Sequence, residues 1–125
     1  MPAFEKIQKD AIDFDVYLAN TIPARWHYSV RDDKYGRIGD IILVPHFPKV
    51  FTLGKYPPQM GQHGYDPIIT DMHATFYAWG PDFKEHLKIP GFENIHIYPL
   101  VAEILGLDID QKIDGNINFL KKILK

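Results

Sequence analysis

Cysteine is absent from all 125 residues. That excludes a disulfide framework and every thiolate metal site, leaving imidazole and carboxylate as the available metal ligands. It leaves the compartment open, because a sizeable core needs no disulfides in any of them. Serine is nearly absent too: Ser29 is the only one, inside a segment that reads as a strand. No G-x-S-x-G, phosphate-cradling glycine loop or H-E-x-x-H occurs, and Thr21, Thr52, Thr70 and Thr75 have no neighbouring base in sequence. No apolar run approaches the roughly 20 residues of a membrane span. The opening "MPAFEKIQKD" lacks the apolar centre of a signal peptide, so the chain is expected to stay inside or to have its true N-terminus elsewhere. The net charge is −2, with acids and bases interspersed until a lysine-rich end. No basic stripe of a nucleic-acid binder is present.

What remains is an ordinary globular composition, 46% apolar and 24% charged, of a length that makes one domain or a piece of one. Phe4, Ile7, Ala11 and Ile12 fall on one helical face, with an exit at Asp13. "FDVYLAN", "RWHYSV", "IGDIILV" and "KVFTLG" read as strands, the third most clearly. They give a small antiparallel α+β unit over residues 1–55. The second part, 56–125, opens with the long loop "GKYPPQMGQHGYDP", which holds three prolines and three glycines. Loops of that length in compact domains are functional or disordered. "MHATFYAWG" follows, apolar on both faces like a buried central strand. "ENIHIYPLVAEILGL" predicts an amphipathic helix with Ile97, Leu100, Val101, Ile104 and Leu105 as its stripe. Glu93 or Asn94 is its expected cap and Gly106 its stop. A last helix, "NINFLKKILK", is expected to turn Ile117, Leu120 and Ile123 inward. A single buried strand cannot hide both faces in so short a stretch, so part of a larger open sheet is expected to be missing.

Six histidines are present. His63 lies between Gly61 and Gly64, whose backbones can bring an imidazole close to a ligand or ion. On the residues alone it remains open among metal ligand, catalytic base and turn residue. His73 could reach the same sheet end, and Asp66 lies between the two, but no recognised metal spacing joins them. His27 and His46 read as packing residues, His86 as solvated and His96 as structural.

Taken together, "GQHGYDP", "DMHATFYAWGPDFK" and "PGFENIHIYPLVAEILGL" resemble the C-terminal part of the type I phosphodiesterase/nucleotide pyrophosphatase family, in the alkaline phosphatase superfamily. "IPARWHY" and "RIGDIILV" resemble that family's P-x-R-[WLY]-H-Y and R-I-G-D segments. Asp114 and Gly115 resemble its closing N-D-G. The order is preserved over residues 14–115. Pro67 in place of Asn, Gln62, and "LVPHFPKVF" after R-I-G-D depart from the pattern and bear on loop shape more than on coordination.

The resemblance implies an α/β fold (α+β in isolation): a C-terminal fragment of an alkaline-phosphatase-like α/β sandwich, with the antiparallel unit followed by a strand-helix segment. It implies that His63 is a ligand of one of two catalytic zinc ions, with Asp66 and His73 as weaker metal candidates. In such enzymes a threonine or serine alkoxide attacks phosphorus, one zinc activating it and the other stabilising the leaving oxygen. No match for that nucleophile or the other ligands occurs here, so no catalytic residue is assigned and hydrolase activity by the isolated chain is not expected. The implied substrate is a phosphodiester or nucleotide. The implied partner is the missing N-terminal catalytic portion, and a homodimer paired through open strand edges is a further expectation. Complete relatives are periplasmic, secreted or membrane-anchored outside the cytoplasm. A non-catalytic interaction domain and a small His/Asp metal-binding protein are the alternatives.

Overall fold

The computed structural model describes residues 2–125, which form two compact units divided between Ala74 and Thr75. The first unit opens with helix α1, Pro2–Asp10. Proline suits a first turn, where its missing N–H has no partner to lose. Glu5 in that turn and Lys9 in the last one each complement the helix dipole. Phe4, Ile7 and Ala11 are half-buried as the periodicity predicts. Ile12 is not: it lies beyond the helix end and is 84% exposed.

Helix α1 packs on strand β1, Phe14–Leu18, which pairs antiparallel with β2, Ile41–Pro45. The register sets Phe14 opposite Pro45, Val16 opposite Leu43 and Leu18 opposite Ile41. Pro45 closes the strand, where a lost donor costs no ladder bond. Beyond β1 the chain turns on Thr21, whose hydroxyl donates to Leu18 O at 3.0 Å and accepts from Leu18 N at 3.1 Å.

The expected strand "RWHYSV" does not form. Ala24–Trp26 is a 3-10 turn ended by His27 in the left-handed region, φ 49°. Asp32 then accepts from the Ser29 amide (2.9 Å) and hydroxyl (2.7 Å), and Asp33 from the Tyr35 and Ile38 amides at 3.2 and 2.6 Å. Side-chain acceptors outbid a ladder here, as short aspartates do in turns. "KVFTLG" is no strand either; Phe51 instead sets its ring edge-on to Phe14 at 5.4 Å. His46 proves to be a surface residue within hydrogen-bond distance of Asp15, its Nε2 3.0 Å from Asp15 Oδ1, and not a packing residue.

The second unit is built around Leu100, Leu120 and Ile123, with Phe76, Phe83, Ile89, Phe92, Ile104, Ile117 and Leu124 packed against them. A 3-10 turn, Asn94–His96, runs into helix α2, Ile97–Leu105. Neither expected cap is used: Glu93 precedes the turn without a side-chain capping bond. Gly106 does stop the helix, at φ 63°, with Leu107 N–H donating to Ala102 O at 2.9 Å. Of the predicted stripe, Leu100 and Ile104 join the core, whereas Val101 and Leu105 are 46% and 63% exposed.

The last predicted helix is two 3-10 turns, Ile117–Phe119 and Lys121–Ile123. The inward residues are nonetheless the predicted ones, because a spacing of three matches a 3-10 turn of three residues. Long-range bonds decide the form: Lys84 N–H donates to Ile123 O and Lys125 N–H to Asp82 O, both at 2.9 Å, around a bridge between Phe83 and Leu124. His96 is buried, as a structural histidine should be. Its Nδ1 accepts from Asn116 N–H at 3.2 Å, so that nitrogen carries no proton, and its ring stacks on Phe119 at 4.1 Å.

"MHATFYAWG" is not a strand in this structure. Thr70–Met72 is a 3-10 turn, and residues 74–79 have no ladder among the described residues. Composition marks a strand; pairing makes one, and the only paired strands among the described residues are β1 and β2.

Candidate functional site

The loop from Gly54 to Pro67 belongs to the first unit and is exposed along nearly its whole length. Two residues break that pattern. Tyr65 is 8% exposed, its ring edge-on to Phe47 at 5.3 Å and its hydroxyl donating to Pro48 O at 3.4 Å. Asp66 is three-quarters buried and uses both carboxylate oxygens. Arg25 Nη2 donates to Oδ2 at 2.5 Å, while Trp26 Nε1 and the Ile68 amide donate to Oδ1 at 3.3 and 3.1 Å. Trp26 is held in turn by the Tyr17 ring at 5.3 Å, and the Arg25 guanidinium lies over the Trp26 ring at 5.4 Å. Burial raises the Tyr17 phenol above its ordinary value, helped by the Asp15 and Asp66 charges, so it stays neutral.

His63 stands just before these anchors. Gly64 adopts φ 99°, which an L side chain rarely takes, and a Cβ on either Gly61 or Gly64 meets nothing within 4 Å. The glycine at 64 therefore serves backbone conformation and not packing. The imidazole is exposed at the end of a segment pinned two and three residues later.

His73 is also exposed, after the Thr70–Met72 turn. The three sequence candidates are not gathered into one site: no group of three or more His, Cys, Asp or Glu side chains among the described residues could hold a metal ion. Asp66 has its oxygens committed elsewhere and acts as an anchor. A catalytic zinc takes about three protein ligands, so a complete metal site does not fit these residues. Sequence reasoning missed Arg25 and Trp26 as parts of the site. Both lie inside the "IPARWHY" motif, but their link to Asp66 spans 41 and 40 positions and leaves no local trace.

Residues 2–66 match the profile of type I phosphodiesterase / nucleotide pyrophosphatase, a little over half of the chain, ending on the anchoring carboxylate. The chain belongs to this phosphodiesterase family. It is 39% identical over 93 residues to the bovine bis(5'-adenosyl)-triphosphatase, covering 74% of this chain and 20% of that protein. A Caenorhabditis elegans ectonucleotide pyrophosphatase/phosphodiesterase is 37% identical over 106 residues, 85% of this chain and 14% of its own length. The solved human ectonucleotide pyrophosphatase/phosphodiesterase 5 superposes with a TM-score of 0.84 at 27% identity, over 98% of this chain and 32% of that one. The chain thus spans a fifth or less of these curated relatives. The chain is thus α+β, with a two-stranded antiparallel sheet among its described residues, and the solved phosphodiesterase on which it superposes has an alkaline-phosphatase-like fold.

Proposed function

We propose that these residues form the C-terminal portion of a zinc-dependent phosphodiesterase/nucleotide pyrophosphatase domain, in which His63 supplies one imidazole to a two-zinc centre. The carrying observation is the mounting of His63: an exposed imidazole on a glycine-bounded loop, anchored immediately afterwards through Tyr65 and Asp66. That geometry suits a ligand that must meet partners from elsewhere, since it supplies reach on one side and fixity on the other. The nucleophile and the remaining ligands come from residues outside these 125, and the isolated chain is inactive. Phosphodiesters or pyrophosphates of nucleotides are the substrate class, and the ecto- names of the relatives support a site of action outside the cytoplasm.

The test has two parts. The 125-residue chain alone, with added zinc, should hydrolyse p-nitrophenyl thymidine monophosphate no faster than buffer. Grafted into the bovine relative in place of the matching segment, the same residues should restore zinc-dependent hydrolysis, and His63→Ala should lower it at least about 100-fold. Robust turnover by the chain alone, or a graft indifferent to His63, defeats the reading.

A further inference from the structure

Where the chain end bonds back to residues 82–84 in the second unit, a cleft of about 790 Å³ opens beside the seam. That volume is ordinary for a small-molecule site. Trp79 forms part of its wall and is 84% exposed. Lys84, His86, Lys88 and Lys125 also line it, and Glu85 is the one acid of the lining. The amines are not spent on carboxylates. Among the described residues none of Lys84, Lys88 or Lys125 makes an ion pair, whereas Lys49 and Lys121 do. Lys84 is also held in place: its amide donates to Ile123 O, and its Nζ donates to Lys122 O at 3.0 Å. An ammonium has further N–H donors to offer a ligand. The Lys125 amide is fixed from the other side of the seam by Asp82 O. Between these lysines His86 takes φ 56°, uncommon for a residue with a Cβ and a conformation that gathers at binding sites.

We propose that this cleft binds a small ligand carrying a phosphate group and a flat heteroaromatic ring, the ring stacked on Trp79 and the phosphate held by Lys84, Lys88 and Lys125. An exposed indole beside unpaired amines supplies both halves of that recognition, stacking and charge. Glu85 opposes a bare phosphate and can accept from a ring amine or a sugar hydroxyl. The chain's net charge of −2 opposes a long polyanion. Every lining residue belongs to the second unit, so the inference uses no residue of the His63 loop and stands without the function proposed above.

Binding is read on the whole 125-residue chain with EDTA present, so that no metal contributes. The probe is ADP, with inorganic pyrophosphate and adenosine as its two halves. ADP is expected to bind one-to-one with a dissociation constant below about 1 mM, and at least about 5-fold tighter than either half. NMR amide shifts should move in residues 79–88 and at Lys125, and stay put in the loop over 54–67. Trp79→Ala should weaken ADP at least about 5-fold and leave pyrophosphate binding unchanged. Lys88→Gln should weaken both by about 3-fold. Neither side chain packs on the core, so both variants should melt like the parent. No saturation by ADP below about 10 mM overturns the proposal. Pyrophosphate or adenosine binding as tightly as ADP, shifts confined to residues outside the cleft, or either variant binding ADP like the parent overturns it equally. Because neither His63 nor zinc takes part, failure here leaves the phosphodiesterase reading standing, and an inactive graft leaves this one.

Discussion

Asp66 shows what a single carboxylate can join. Its position three residues after His63 makes it a metal candidate by sequence, yet its oxygens take Arg25, Trp26 and the Ile68 amide. Asp66→Asn keeps the acceptor toward Trp26 and Ile68 and removes the charge facing Arg25. Because Arg25 is 47% exposed, the pair is screened, and the loss should be about 1 kcal/mol in chemical unfolding. In the grafted enzyme the same change should weaken zinc binding measurably, whereas His63→Ala should remove it, read by zinc titration. Leu120, with 0% exposure, is the opposite kind of residue. Leu120→Ala leaves a cavity at the centre of the second unit and should cost about 3 kcal/mol.

The closing Asp-Gly of the family motif gains its reason among the elements. A Cβ on Gly115 falls 2.2 Å from Ile95 O and 3.0 Å from Pro99 Cδ, so the turn leading into α2 and the segment before Asn116 touch through a glycine. Backbone cannot give way cheaply there. Gly115→Ala should cost about 2 kcal/mol and lower the melting temperature by at least about 5 °C. The loop over residues 29–38 predicts a pH dependence. Hydrogen bonds from Ser29 hold the Asp32 carboxyl below its usual range, and the Ile38 amide does the same for Asp33. With the folded-state values lowered, the stabilisation is complete above the ordinary carboxylate value of about 3.9 and is lost as pH falls through the lower folded values. The Tyr35 and Ile38 amides should therefore lose exchange protection only below about pH 4, and Asp33→Asn should remove that transition, measured by NMR.

At the level of the molecule, the role proposed for His63 sets how zinc should behave toward the chain alone. Ligand stabilisation follows the ratio of free ligand to its dissociation constant, and a lone histidine binds weakly. Zinc at about 100 μM should raise the melting temperature of the 125-residue chain by less than about 1 °C. A larger, saturable rise abolished by His63→Ala would restore the small metal-binding protein as an explanation. Exposed large apolar side chains belong to this scale as well: Tyr77, Trp79, Leu53 and Met60 are ones that local periodicity treats as core or loop without distinction.

Local patterns carried far in this protein. Helix α1, the two strands that pair, the glycine stop of α2, the inward Ile117, Leu120 and Ile123, and the family's ordered motifs are all written in short stretches of chain. Each depends on contacts a few residues apart, which spacing and residue type encode. The tertiary structure decided the rest: that Asp66 anchors instead of ligating, that "RWHYSV" turns, that the chain end bonds to residues 82–84, and that "TFYAW" waits unpaired. The turn at "RWHYSV" rests on Ser29, Asp32 and Asp33 close by, whereas the Asp66 anchor and the chain-end bonds hang on partners tens of residues away. A hydrogen bond or a ladder exists only when both sides are present, and no single stretch of sequence names its distant partner.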